Sequence, residues 1–279
     1  MEEIEVELPR AGITLRGRRS GRPGGLPVLC LHGWLDNCAS FTPLSERVEG
    51  LDLFAFDLPG HGLSDPIPGP TCQYLDYVAC VLELARVLGW DRFQLVGHSL
   101  GGALSALIAG ARPELVERLV LLDAIGPLSA DPVLGRDSVT RYLNAYLADE
   151  PAPVYRSRSQ ALKARMQLAD ILLDTADRLL ERDLRQVPGG FSWRSDVRLR
   201  YPFTLTFSEE QVRSYLANIT APVLFVGAER TALKEDYYEG RFAAVPRLRR
   251  VTLAGGHHLH MENPDPVAEA VRDFLTEVP

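Results

Sequence analysis

The stretch LVGHSLGG, Leu95 to Gly102, sets a serine between glycines where an apolar run gives way to a helical pattern. A buried strand ending at Val96 and a helix beginning directly after Ser99 leave a turn so tight that the serine must take a strained backbone conformation. Gly97 and Gly101 leave room, since side chains there would collide with the neighbouring strand or helix. The hydroxyl is raised above the carboxyl edge of a sheet, beside the partly positive amides that open the helix. Such a hydroxyl suits attack on an electrophilic carbon. At neutral pH it is a poor nucleophile and needs a base within hydrogen-bond reach. The histidines are His32, His61, His98, His257, His258 and His260. His98 adjoins the serine but is expected to point away from its Oγ, which leaves GGHHLHMENP, residues 255–264, on a loop after the last strand. The competing reading of GHSLGG is a glycine-rich turn without chemistry.

The elements that must position these groups alternate in the first half of the chain. IEVEL (Ile4 to Leu8) and ITLRG (Ile13 to Gly17) alternate apolar and polar residues, as a hairpin near a sheet edge would. Fully apolar runs follow from Pro27, Leu51, Phe93 and Arg118, which suits parallel strands buried on both faces. Helical patterns span Tyr74 to Leu88, stopped by Gly89, and Ser99 to Ala111, stopped by Pro113. Strand and helix in turn imply a parallel sheet covered on both sides. From about Gly126 to Ala217 the pattern is helical with turns bearing Pro and Gly. Strand signals return at Ala221 to Glu229 and Arg247 to Gly256, and a last helix spans Pro264 to Leu275. The parse is a core of residues 1–125 and 218–279 with a helical cap inserted at 126–217.

Composition narrows the function classes. With 279 residues, 46% hydrophobic and 24% charged, the chain can bury a large interior. A net charge of −7 gives no reason to expect nucleic acid as partner. The start MEEIEVELPR lacks the basic and apolar parts of a signal peptide, and no apolar run approaches ~18 residues, so a cytoplasmic protein without a membrane span is expected. A monomer or homodimer fits. Cys30, Cys38, Cys72 and Cys80 match neither metal knuckles nor redox pairs and read as reduced thiols, with Cys38 a candidate for the border of a pocket. Residues 151–200 carry ten basic and six acidic side chains, read as solvated helix faces ahead of a site for an anionic substrate.

HGW, DLPGHGLSD, GHSLGG and GGHHLHMENP, in this order, resemble the α/β-hydrolase superfamily, and PVLCLHGWLDNCASF resembles its serine hydrolase-like subgroup. The likeness covers roughly residues 25–125 and 220–276. It implies a mostly parallel eight-stranded sheet, helices on both faces and a helical cap after the sixth strand. It also implies His257 as the base, five residues before Glu262 and seven before Pro264, with His258 and His260 as alternatives. The backbone amides of Trp34 and Leu100 would hold the oxyanion. Gly33 would let that loop approach and His32 would brace it, while His61, between Gly60 and Gly62, reads as turn architecture.

The acid departs from the commonest pattern. Many relatives carry an Asp a few residues past the penultimate strand, where VGAERTALKED has Thr231. Asp123, ending RLVLLD, is the acid adopted; Glu229, Asp236 and no acid at all stay open. The expectation is a serine hydrolase acting through an acyl-enzyme on a small or medium carboxylic ester, with neither metal nor organic cofactor. Tyr142, Tyr146, Leu162 and Trp193 are candidates for an apolar acyl site or plain cap core. Two other readings are a ligand-binding or sensory protein that kept the scaffold, and a hydrolase of carbon–carbon bonds.

Overall fold

A computed structural model describes residues 1–24, 26–169, 171–203, 206–231 and 235–277. These hold the strands β1 (Glu2–Leu8), β2 (Ile13–Gly21), β3 (Leu26–Leu31), β4 (Leu51–Phe56), β5 (Phe93–His98), β6 (Val116–Leu122), β7 (Leu184–Val187), β8 (Gly190–Trp193), β9 (Val223–Ala228) and β10 (Leu248–Leu253). Eight of them form one sheet in the order β1-β2-β4-β3-β5-β6-β9-β10. β2 runs antiparallel to β1 and β4, and the rest are parallel. The expected N-terminal hairpin is therefore present, and the apolar runs are the central parallel strands.

Burial explains the sequence pattern. Every residue of β4, β5 and β9 is buried, which is why these strands read as unbroken apolar runs. At the edge, β10 alternates half-buried and exposed residues. Two apolar layers cover the sheet. One packs β-strand residues such as Leu95 and Leu121 against the helices Tyr74–Val87 and Leu100–Ala111; the other packs Val96 and Val226 against the helix Pro264–Thr276.

Residues 126–217 contain the helices Gly135–Ala148, Arg158–Ala169, Leu173–Asp183 and Glu209–Ala217. Within this pattern Arg158–Ala169 and Leu173–Asp183 are separate helices, and Asp170 lies outside the described residues. The segment also contains strands, since β7 and β8 pair antiparallel around a tight turn in which Gly189 takes φ 88°. LRQVPGGFSW has the alternation and turn glycines of a hairpin, a signal outweighed by the helical text around it. Glu209–Ala217 packs on Leu100–Ala111, with Val212 and Leu216 fully buried in the main core. It anchors the end of the inserted segment to the sheet domain.

Asp183, at the close of the Leu173–Asp183 helix, accepts the Ser195 amide at 3.0 Å. Burial pushes its carboxyl up to about 7. The folded chain thus holds this proton over a range where the unfolded chain has released it, so the stabilisation is full below about pH 4 and is lost as pH rises through about 7. Asp183→Asn is expected to match the wild type near pH 4 and to exceed it by about 1 kcal/mol or more at pH 8. Urea unfolding across that range measures the difference; curves that stay parallel would refute it.

Candidate active site

β5 delivers Ser99 to the turn with φ 50° and ψ −113°, a region that costs a non-glycine residue about 1–3 kcal/mol. The strain is held because the following helix sits directly on β3. A Cβ on Gly101 would lie 1.9 Å from the Leu31 carbonyl oxygen, and one on Gly97 would lie 2.4 Å from the Gly101 carbonyl oxygen. Glycine is therefore required on both sides of the serine. The Gly101 amide, freed from intrahelical pairing, donates to the His32 carbonyl at 3.0 Å and ties the helix start to the loop after β3.

Asp123 follows directly on the end of β6 and also takes a left-handed backbone, φ 47°. Its amide donates to the Val226 carbonyl at 2.8 Å, and its Oδ1 accepts the Ala228 amide at 3.1 Å. Oδ2 accepts the Thr231 hydroxyl at 3.1 Å and lies 2.7 Å from Nδ1 of His257. A carboxylate only accepts, so Nδ1 of His257 carries the hydrogen. The lone pair is then on Nε2. The Asp123 carboxylate is fully buried, whereas His257 is 37% exposed and lines the same cavity as Ser99.

The other residues weighed for these roles lie elsewhere. Glu229 is exposed, and among the described residues its carboxylate makes no hydrogen bond to His257. Asp236 falls in the helix Glu235–Ala244. His260 is buried beside Phe41, its ring centroid 5.4 Å from the phenyl ring, and burial holds its pKa well below the usual range. His258 turns to Asp36, with Nε2 at 3.2 Å from Oδ2. His98 donates from Nε2 to the His257 carbonyl at 2.8 Å, so its ring is occupied away from the serine hydroxyl. Burial lowers its pKa to about 4. His32 spans the Gly33 carbonyl and the Leu58 amide, each at 2.8 Å, which braces the loop. His61 faces the Pro59 carbonyl at 3.1 Å inside its own turn.

Trp34 and Leu100 both line the cavity. Leu100 opens a helix, where an amide has no intrahelical acceptor. Trp34 also reaches the inserted segment, its indole N–H donating to the Leu199 carbonyl at 2.7 Å. The cavity measures about 1000 Å³ and is walled by Tyr74, Leu128, Leu172, Leu199, Tyr201 and Phe203 among others. Tyr142, Tyr146, Leu162 and Trp193 are not among its described lining residues. Tyr142 stacks on Tyr146 and bonds the Pro70 carbonyl, while Leu162 and Trp193 pack within the insertion. Residue type identified apolar side chains there without revealing which faced inward. Cys38 is buried below its own loop, its amide on Asp57, and does not border this cavity. The four cysteines are unpaired thiols.

Sequence reasoning missed the charged groups beneath the site. Asp36, two residues past Trp34, accepts Arg165 of the insertion at 2.6 Å. Asp57 accepts Arg182 at 2.7 Å. Asp36, His98 and His258 also bring donor atoms within 4.8 Å of one another, the spacing of a metal site. The Arg165 guanidinium already neutralises that carboxylate, so a second cation there would meet repulsion without solvent to screen it.

The α/β hydrolase fold family model matches residues 27–264, and the chain belongs to this family. Within it the chain falls in the serine hydrolase-like subgroup. It is 33% identical to a serine hydrolase-like protein of Danio rerio over 286 residues, covering 97% of this chain and 88% of that protein. It is 27% identical to the sn-1-specific diacylglycerol lipase of Mus musculus, over 89% of this chain and 80% of the lipase. The crystal structure of a hypothetical protein from Pseudomonas aeruginosa PAO1 superposes with a TM-score of 0.90 at 37% identity, covering 99% of this chain and 98% of that one. The fold and these relatives make the protein a hydrolase. No helix among the described residues is long and apolar enough to cross a membrane.

Gly101→Ala is expected to cost about 1–3 kcal/mol, because the contact it forces is with backbone. Gly102→Ala, whose Cβ would stand 3.1 Å from the Ala124 side chain, is expected to cost distinctly less. Thermal unfolding of both variants checks the ranking. Equal losses would mean that the fit of the helix on β3 is not what demands glycine.

Proposed function

We propose that the protein hydrolyses small or medium carboxylic esters through an acyl-enzyme, with Ser99, His257 and Asp123 as the triad. The observation that carries this is the 2.7 Å approach of His257 Nδ1 to the buried Asp123 carboxylate, in a cavity that Ser99 also lines. Ser99 Oγ attacks the acyl carbon while Nε2 of His257 takes its proton. The amides of Trp34 and Leu100 bind the oxyanion. The proton then passes to the departing alcohol, and a water activated by the same nitrogen releases the acid. Asp123 keeps the imidazole in the tautomer that can accept from serine and stabilises the cation it becomes.

The aromatic and aliphatic walls of the cavity favour an apolar acyl group, and the lipase relative supports a carboxylic ester as the bond cleaved. The 126–217 insertion acts in this reading as a cap, since Leu128, Leu172 and Tyr201 come from it. The protein works in the cytoplasm as a monomer or homodimer, with neither metal nor organic cofactor. The reading of a bare binding scaffold had the unsettled acid as its chief support, and the contact of His257 with Asp123 supports the hydrolase reading over it.

A fluorophosphonate probe is expected to label the native protein and to lose its target in Ser99→Ala. Asp123→Asn should lower kcat on a p-nitrophenyl ester by about 10²–10⁴, while Glu229→Gln leaves it within about twofold. A protein that takes no label, or an Asp123→Asn variant at full rate, would overturn the assignment.

A further inference from the structure

Four segments of the molecule converge on one buried carboxylate, and none of their contacts is used by the triad itself. Asp36 is 1% exposed and belongs to the loop that carries Trp34. Its Oδ1 accepts Nη2 of Arg165 at 2.6 Å, an arginine 4% exposed that projects from the inserted helix Arg158–Ala169. Its Oδ2 lies 3.2 Å from Nε2 of His258, the residue directly after the proposed base. His98, directly before the proposed nucleophile, donates from Nε2 to the His257 carbonyl at 2.8 Å, and its Nδ1, which then carries no hydrogen, stands 3.4 Å from the same oxygen without a hydrogen bond. The peptide between His257 and His258 is thus held from two sides, by its carbonyl oxygen and by the following ring.

These tethers have direction. His257 meets Asp123 only through its ring, so the ring's aim depends on where the backbone of residue 257 is fixed. That backbone lies on a loop, and loops are set by the groups that bond them. The insertion touches the histidine loop directly through Met261, which packs with Ile171, Ala176 and Leu179. Gly33 is what lets the cluster close, because a Cβ there would come within 2.8 Å of Asp36 Oδ2 and 2.9 Å of His98 Nδ1.

We propose that Asp36 and His98 are positioning residues that fix the His257 backbone, and that Arg165 makes this alignment depend on the seating of the inserted helix. The inference rests on Ser99 and His257 being the reacting pair. It goes beyond that pair by giving the insertion a second task besides walling the cavity, namely to complete the alignment of the base when it is docked. Withdrawal of Arg165 leaves Asp36 with His258 as its one hydrogen-bonded side-chain partner among the described residues and loosens the hold on that ring.

The test uses the full chain and p-nitrophenyl acetate, an ester too small to depend on the apolar walls. Arg165→Gln and Asp36→Asn are each expected to lower kcat by about tenfold with KM within about twofold, since a misplaced base costs rate and not binding. The double variant, which removes both charges together, should be no slower than the worse single variant, because the two act along one path. His98→Leu should lose about tenfold in kcat, and His98→Gln, which can keep an N–H near the Nε2 position, should recover most of it. The low-field proton resonance of His257 Nδ1–H should shift or broaden in the slow variants and return in His98→Gln.

Rates are taken per folded molecule, measured by circular dichroism, so that instability is not read as misalignment. Should both charge variants fail to fold singly, the double variant and the two His98 variants decide the matter. The proposal is overturned if these variants keep the wild-type kcat, if His98→Gln falls as far as His98→Leu, or if the losses lie in KM alone. Turnover that survives in Ser99→Ala would instead refute the reacting pair, which separates the two failures.

Discussion

A carboxylate withdrawn from water must find cations or hydrogen-bond donors inside the protein, and this site is built around three that have done so. Asp36, Asp57 and Asp123 lie just past the carboxyl ends of β3, β4 and β6, and each is at most 1% exposed. An ion left alone at such depth would cost several kcal/mol even after relaxation. Each is therefore bonded from several directions. Asp57 takes the amides of Cys38 and Leu63 and the Nε of Arg182; Asp123 takes Ala228, Thr231 and His257; Asp36 takes Arg165 and His258. Burial pushes the Asp36 carboxyl up, but His258, His98 and Arg165 outweigh it and hold the group well below the usual range. The partners come from distant segments, so satisfying these charges also brings the chain's parts into register.

The same accounting explains how the inserted segment is fastened. Arg182 reaches Asp57 and Glu3, Arg165 reaches Asp36, and Asn37 donates to the Leu179 carbonyl at 2.9 Å. One side of the insertion is thereby held by buried charge, whose pairing is specific in geometry and costly to break. The side that walls the cavity depends on Leu, Tyr and Phe contacts and on the Trp34 indole. Apolar contacts of this kind tolerate rearrangement more readily than a buried ion pair does. The two sides of the segment are thus held by different kinds of contact.

The sequence was most legible where local geometry leaves one solution. The glycines around Ser99 follow from a turn that admits no side chains, and the apolar runs follow from strands buried on both faces. What resisted reading was pairing at long range. Thr231 standing where relatives place an acid looked like a gap, yet its hydroxyl supports the carboxylate of Asp123, 108 residues earlier. No spacing rule links Asp36 to Arg165 or to His258, which are 129 and 222 residues away. In the insertion, residue type alone singled out Tyr142, Tyr146, Leu162 and Trp193, which did not tell the cavity wall from the packing behind it. The β7 and β8 hairpin was hidden because its strands are four residues each and lie among helices.

The distance between Ser99 and His257 along the chain also bears on how the protein is made. The proposed nucleophile, the proposed oxyanion loop and Asp123 all precede residues 126–217, whereas His257, the proposed base, follows 134 residues after Asp123. Contacts of such long range close late, after local helices and neighbouring strands have formed. On the proposed triad, a growing polypeptide carries a shaped but inert serine until the histidine loop docks. In that reading assembly order acts as a safeguard, since partly folded molecules lack the proposed base.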